Sequence, residues 1–144
     1  LAAKESGIPL PDGCITLSAW TDLAMTGESI KTRSEVDPIL SDKEGLFLAS
    51  SVYLGDIPAD TPGASPLYGE FTDFPPLLMQ VGDLEILLDD TIRVAELARS
   101  QGVKVDLHVE PEGYHVYPLF APNAPESIAA IEQIGGFVQN ITTN

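Results

Sequence analysis

The 144 residues contain 22 Asp and Glu against 7 Lys and Arg, which gives a formal net charge of −15 at pH 7. Such a field repels phosphate backbones and argues against nucleic acid as a partner. Hydrophobic residues make up 44% of the chain, enough for the core of one soluble domain, and no apolar run approaches the 18 residues of a membrane span. The single cysteine cannot form an internal disulfide, which fits a reducing compartment.

The first part of the chain predicts one helix end and one strand. Residues 1–6 are typical of the last turns of a helix, closed by Gly7. The apolar run from Cys14 to Ala19 predicts a strand. Residues 20–75 form an excursion that we expect to contribute to a cap or to a substrate pocket. Residues 20–40 are polar without clear periodicity, and residues 56–75 are rich in Pro, Gly and Asp.

One helix is predicted inside this excursion. Ser41 to Glu44 reads as a capping box, and the helix that it opens extends to about Leu54 and is closed by Gly55. Apolar residues fall at helical spacing on one face of this helix: Leu46, Ala49 and Tyr53.

The second half of the chain is more regular. The nearly continuous apolar run from Leu77 to Val81 predicts a strand buried on both faces of a parallel sheet. Asp89 or Asp90 is then expected to cap a helix that ends at Gly102. Its apolar positions in register are Ile92, Ala95 and Ala98, with Arg99 next to the last of them.

The last two predicted elements are a strand and a helix. Residues 103–109 alternate apolar and polar side chains, which indicates a strand with one wet face near the edge of a sheet. Residues 123–126 carry an N-cap signature that opens the final helix. The apolar stripe of this helix consists of Ile128, Ile131, Ile134 and Val138.

Strands that alternate with helices predict an α/β fold with a mainly parallel sheet and crossover helices. Chemical groups in such sheets gather beyond the carboxyl ends of the strands, here in residues 82–88 and 110–122. These two loops contain Glu85 and His115. Because one helix joins their strands, we expect the carboxylate to accept a hydrogen bond from one ring nitrogen and the other nitrogen to act as a general base.

Four segments, in order along the chain, resemble the bacterial hormone-sensitive-lipase-like esterases. Residues 80–90 (QVGDLEILLDD) are similar to the acid-bearing segment of that family, and residues 110–120 (EPEGYHVYPLF) to its histidine segment. Upstream, residues 17–23 (LSAWTDL) and 65–69 (SPLYG) are similar to its connecting segments.

The resemblance implies that residues 1–144 are the carboxyl-terminal half of an α/β-hydrolase catalytic domain. Some members carry the acid in a segment of the form D-P-L-x-D-D, and placing Asp89 and Asp90 on its final pair puts Glu85, rather than Asp83, on the acid. His115 falls on the base. The resemblance further implies hydrolysis of short to medium acyl esters, no cofactor, a cytoplasmic bacterial setting, and a homodimer through the edge strand and the last helix. No metal is expected either, because the sequence has no cluster of Cys or His to hold one.

The family takes its nucleophile from a Gly-x-Ser-x-Gly turn and much of its oxyanion hole from a His-Gly-Gly-Gly-type loop. Neither pattern occurs in the chain: Ser29 and Ser65 each have a preceding glycine two residues away but lack the following one. We therefore expect the nucleophile to lie in a missing amino-terminal half, and this chain alone to be inactive.

Other interpretations remain open. A non-catalytic binding domain on the same scaffold is the main alternative, and His115 and Glu85 would then be structural. A flavodoxin-like nucleotide-binding domain is disfavoured because no strand is followed by a glycine-rich phosphate loop. Several further residues are expected to be structural or exposed: Trp20 and Tyr68 in packing, Asp22 as a brace of its turn, and His108 on a wet face. The aromatic residues near His115 fit a substrate pocket and core packing equally well: Tyr114, Tyr117 and Phe120.

Overall fold

A computed structural model describes residues 1–143 of the chain. Three parallel strands form its sheet: β1 (Cys14–Leu17), β2 (Leu77–Gly82) and β3 (Val105–Glu110), in the order β1–β2–β3. The strand β2 therefore lies between the other two, with Leu77 beside Cys14 on one side and Val105 on the other. The prediction of an α/β fold with a parallel sheet is confirmed.

Helices cover the sheet and fill the long connection between β1 and β2. In chain order they are α1 (Ala2–Glu5), α2 (Ser29–Thr32), α3 (Lys43–Leu54), α4 (Leu88–Ser100) and α5 (Pro125–Thr142), with 3₁₀ turns at Pro66–Tyr68 and Tyr117–Phe120. Within residues 1–143, no helix combines the length and the apolar character needed to cross a bilayer.

The core lies between β2 and α4. Every residue of β2 is buried, as its continuous apolar sequence predicts. Leu77 and Met79 of β2 pack in one cluster with Val94 and Ala98 of α4. Full burial of side chains of this size stabilises a fold by about 1.5–3 kcal/mol each. This cluster, which also includes Val105 of β3, packs α4 against one face of the two strands that it connects.

The two aspartates at the start of α4 are not its caps, contrary to the sequence prediction. The N-cap residue is Leu87, and no side chain caps the helix. The carboxylate of Asp89 accepts the backbone N–H of Ser29 at 3.0 Å, and that of Asp90 reaches back to the segment after β1. Both side chains thus fasten the long excursion to the start of the helix.

The helix α3 is correctly predicted, but its cap and buried face differ. Asp42, not Ser41, is the N-cap residue, and it accepts the N–H of Gly45 at 2.9 Å. The helix buries Ser50 and Leu54. The predicted apolar positions contribute little to the core: Leu46 is half-buried, whereas Ala49 and Tyr53 are exposed.

The last helix presents a different face to the sheet than its apolar stripe predicts. It begins at Pro125 after Ala124, and no side chain caps it, so the expected cap in residues 123–126 is wrong. Its buried residues are Ser127, Ala130 and Phe137. Of the predicted stripe, Ile134 is half-buried and three residues are exposed: Ile128, Ile131 and Val138. Two hydrogen bonds from side chains to backbone oxygens hold this face: the Ser127 hydroxyl donates to Tyr117 O at 2.7 Å and Gln80 Nε2 donates to Ala130 O at 3.1 Å.

The strand β3 lies at one edge of the sheet, as predicted, but it begins at Val105 and its alternation ends early. Val105 is buried, Leu107 is half-buried, and Val109, predicted on the same covered face, is 39% exposed. His108 is half-buried rather than exposed. The homodimer contact through this strand and α5 stays a prediction.

Candidate active site

Two side chains from neighbouring strand ends meet at the carboxyl edge of the sheet. Glu85 follows β2 by three residues and His115 follows β3 by five. Nδ1 of His115 lies 3.0 Å from Oε2 of Glu85. The carboxylate is completely buried, whereas the imidazole side chain keeps 21% of its surface exposed. Since a carboxylate oxygen accepts, the nitrogen that faces it is the N–H donor, and the tautomer with a free Nε2 follows.

The position of the Glu85 carboxylate is fixed by its own loop and by the excursion. Its Oε1 accepts the N–H of Gly82 at 2.6 Å. The next residue, Ile86, is held at both backbone groups: its N–H donates to the carboxylate of Asp37 at 3.0 Å, and its carbonyl accepts the hydroxyl of Ser29 at 2.6 Å. Both of these partners are buried. Side chains 49 and 57 residues away in sequence therefore determine where the acid-bearing turn lies.

Asp83, the rival candidate for the acid, has a different partner. Its Oδ1 accepts the N–H of Glu112 at 2.7 Å, and its own N–H donates to Glu110 O at 3.0 Å. These bonds join the acid loop to the histidine loop through the backbone. The structure thus places Glu85, and not Asp83, beside the imidazole.

At one point the loop that carries Glu85 and the loop that carries His115 are in direct backbone contact. The N–H of Leu84 donates to Gly113 O at 3.1 Å. A Cβ atom added to Gly82 would lie 2.1 Å from that same carbonyl oxygen and 2.2 Å from its carbon. Glycine at the end of β2 is therefore what lets the histidine segment approach the acid.

A third strand end enters the site through Ser18, which sequence reasoning missed. Ser18 is the first residue after β1 and is 4% exposed. Its hydroxyl lies 2.6 Å from Glu85 Oε1 and 2.9 Å from the backbone nitrogen of Val116. A single serine after a strand has no periodicity that would mark it, and the only sequence signal was its place in a segment resembling a family motif.

A separate polar cluster surrounds Asp22, which is completely buried. It accepts hydrogen bonds from the Tyr68 hydroxyl at 2.9 Å and from the Arg93 guanidinium at 3.0 Å, and it also accepts from the backbone and side chain of Thr26. Burial raises the pKa of Asp22, but these hydrogen bonds outweigh it and hold the pKa below its ordinary value. Asp22 thus braces the excursion, as predicted for its turn, over a longer range than expected.

Asp90 adjoins this cluster, and its pKa is shifted in the opposite direction to that of Asp22. Its Oδ2 accepts the N–H groups of Thr21 and Asp22, both at 2.8 Å, while Oδ1 is buried without a partner. Burial raises the pKa of Asp90 to about 6, and the negative charge of Asp22 adds to this effect. Trp20 has the packing role expected of it: it packs beside Ile86 and donates to Asp22 O at 3.1 Å. Tyr68 was expected to pack as well, but it is 37% exposed and its contact here is the hydrogen bond to Asp22.

The three aromatic residues near His115 differ in burial. All three line a cavity of about 480 Å³ next to the histidine loop. Tyr117 is 3% exposed, and burial raises its pKa to about 12, with the negative charges of Glu110 and Glu85 contributing. Tyr114 and Phe120 are each 44% exposed and pack edge to face, with ring centroids 6.1 Å apart.

Within residues 1–143, no three His, Cys, Asp or Glu side chains form a group that could hold a metal ion.

Comparison with known proteins adds independent findings. A family model described as the α/β-hydrolase fold matches residues 1–119. An acetyl-hydrolase of Streptomyces hygroscopicus is 38% identical over 141 residues, which cover 98% of this chain and 47% of that protein. An esterase of Acinetobacter venetianus is 34% identical over 142 residues, covering 98% of this chain and 46% of the esterase.

Solved structures agree with these matches. An esterase from the bacterial hormone-sensitive lipase family has a TM-score of 0.92 and 41% identity, over 96% of this chain and 46% of that one. An esterase/lipase from an uncultured bacterium has a TM-score of 0.93 and 36% identity, over 99% and 47% respectively. The chain therefore spans just under half the length of the relatives and structures that it matches.

Proposed function

Because this chain belongs to the α/β-hydrolase fold family, in the part of it that includes the bacterial hormone-sensitive-lipase-type esterases, we propose that it supplies the acid and the base of a serine esterase. Glu85 is the acid and His115 is the base. The observation that carries this proposal is the 3.0 Å contact between Nδ1 of His115 and a carboxylate that is completely buried.

The proposed reaction is the hydrolysis of a carboxylic ester. A serine from outside these 144 residues attacks the ester carbonyl, and Nε2 of His115 takes its proton. The same nitrogen then donates the proton to the departing alcohol, and water hydrolyses the acyl-enzyme by the same route. Glu85 holds the imidazole in the required tautomer and stabilises the imidazolium that forms in each step.

The finer parts of the proposal concern substrate and setting. An acetyl-hydrolase and an esterase among the relatives support short to medium acyl esters as substrates, and no step above requires a cofactor. We place the enzyme in the cytoplasm, as the resemblance implied. The chain spans less than half of its relatives and contains no Gly-x-Ser-x-Gly pattern, which supports a nucleophile carried by the remainder of the enzyme.

The proposal is tested in the complete enzyme with p-nitrophenyl butyrate as the probe. Glu85→Gln should lower kcat by roughly 10²–10⁴-fold, because the amide cannot stabilise the imidazolium. The matched control is Asp83→Asn, two residues away, which should keep kcat because an amide oxygen still accepts the N–H of Glu112.

Two results would contradict the proposal. Full activity of Glu85→Gln together with loss in Asp83→Asn would mean that the other carboxylate is the acid. A complete sequence with no serine nucleophile, and no hydrolysis by the purified protein, would instead favour the non-catalytic binding domain. This chain assayed without the remainder of the enzyme should be inactive.

A further inference from the structure

Ser18 lies where the backbone is under constraint. Its N–H donates to Gln80 O at 2.8 Å, which extends the β1–β2 pairing one residue beyond the strand. Its φ is 49°, in the left-handed region that residues other than glycine rarely adopt. A serine kept in this conformation, in a buried position, needs compensation from its side chain.

The hydroxyl of Ser18 has a fixed hydrogen-bond direction. The backbone nitrogen of Val116 can only donate, so the serine oxygen accepts there. The single hydroxyl proton is then left for Glu85 Oε1, 2.6 Å away. That oxygen also accepts the N–H of Gly82, so two donors hold Oε1, and Oε2 is the oxygen that faces His115.

Val116, whose N–H donates to the Ser18 hydroxyl, also has an unfavourable backbone conformation. Val116 directly follows His115 and has a φ of 51°, which is unfavourable for a β-branched residue. The Ser18 oxygen accepts its N–H in that conformation. One buried hydroxyl therefore contacts the acid and the backbone next to the base, and it reaches both from a strand that contributes neither of them.

We infer that Ser18 is a positioning residue of the esterase: its hydroxyl sets the distance and orientation between the acid and the imidazole. This inference rests on the proposed function. Loss of the hydroxyl keeps Glu85 and His115 themselves but removes the common partner of Oε1 and the Val116 N–H, so that the two side chains can shift relative to each other. Because a misplacement of about 1 Å can cost about 10²-fold in rate, we expect kcat to fall roughly 10- to 100-fold while KM is unchanged.

Two substitutions separate the effect of losing the Ser18 hydroxyl from the effect of its positive φ. Ser18→Ala removes the hydroxyl and keeps the conformational cost of a positive φ. Ser18→Gly removes the hydroxyl and relieves that cost, because glycine adopts this φ readily. We expect both variants of the complete enzyme to lose kcat by a similar factor, with Ser18→Gly unfolding at the higher temperature.

A spectroscopic signature and a stability control accompany the kinetics. The downfield proton resonance of His115 Nδ1–H should weaken or disappear in both Ser18 variants. Val94→Ala truncates a buried side chain in the main core cluster, away from the site, and should lower stability without changing kcat or this resonance.

Each outcome decides the question. Wild-type kcat in Ser18→Gly, or an unchanged Nδ1–H resonance in both variants, would overturn the inference and leave Ser18 as a backbone turn. If Glu85→Gln is inactive while Ser18→Gly is fully active, only the Ser18 inference fails. If Glu85→Gln is itself fully active, the proposed function fails first.

Discussion

The contact between the acid loop and the histidine loop is close enough that one methyl group should disturb it. In Gly82→Ala, the new Cβ would lie 2.1 Å from the carbonyl oxygen of Gly113. The backbone at Gly82 is not in the left-handed region, so alanine meets no conformational penalty there and the entire effect is steric. The atom that must move is backbone, and it cannot rotate away.

The expected cost follows from two terms. Overpacking of a well-packed site costs about 1–3 kcal/mol. The displaced Gly113 oxygen also accepts the N–H of Leu84, and losing that hydrogen bond adds about 1 kcal/mol. We therefore expect Gly82→Ala to lower the free energy of unfolding by about 2–4 kcal/mol. A shift of the histidine segment by about 1 Å should also reduce kcat of the complete enzyme by about 10²-fold.

Urea unfolding followed by circular dichroism measures the stability change, provided that the slope with denaturant stays constant. The matched control is Gly135→Ala in the interior of α5, where an added Cβ meets nothing within 4 Å. This change should stabilise the protein by about 0.5–1 kcal/mol, because alanine favours the helix. A Gly82→Ala protein as stable and as active as the wild type would refute the reasoning.

Two further predictions concern buried carboxylates outside the acid–base pair. Because the folded-state pKa of Asp90 is raised from 3.8 to about 6, its contribution to stability is fully present below pH 4 and is lost as the pH rises through 6. Wild type should therefore lose about 2 kcal/mol more than Asp90→Asn between pH 4 and pH 7 in urea unfolding, and parallel losses would contradict the assignment. Asp37→Ala leaves the buried N–H of Ile86 without its acceptor, removes the oxygen that accepts from Ile39 and Leu40, and should cost about 1–3 kcal/mol or more. Asp37→Asn keeps only one of the two acceptor oxygens and should recover part of that cost; equal losses in the two variants would show that the acceptor is not what matters.

The sequence predicted those elements whose burial is dictated by their own side chains. The run at β2 is apolar throughout, so it had to lie at the centre of the sheet whatever surrounded it. From that strand, and from the single helix to β3, it followed that Glu85 and His115 lie at the same edge. The sequence could place them together because parallel topology alone fixes their side of the sheet.

Long-range polar contacts were beyond the reach of pattern reasoning. Asp89 and Asp90 look like caps from their position, yet their partners are N–H groups about 60 to 70 residues earlier in the chain. Likewise, the orientation of α5 depends on a hydroxyl and two carbonyl oxygens, whereas the hydrophobic stripe indicated another face. Hydrophobic periodicity reports which residues are apolar; it does not report which polar groups remain to be satisfied.

The register of the sheet is the feature on which the whole site depends. Leu17, the last residue of β1, lies beside Gln80, and Gln80 lies beside His108, whereas β2 and β3 end together two residues later, at Gly82 and Glu110. Successive side chains along a strand point to opposite faces, so a slip of β1 by one residue would replace Ser18 by a neighbour that points to the other face. The contact from Ser18 to Glu85 would then be lost even though every residue of the acid–base pair remained. Because every residue of β2 is buried, a shift of this strand would disturb the core, and the packing of the core therefore fixes where the groups at its edge lie.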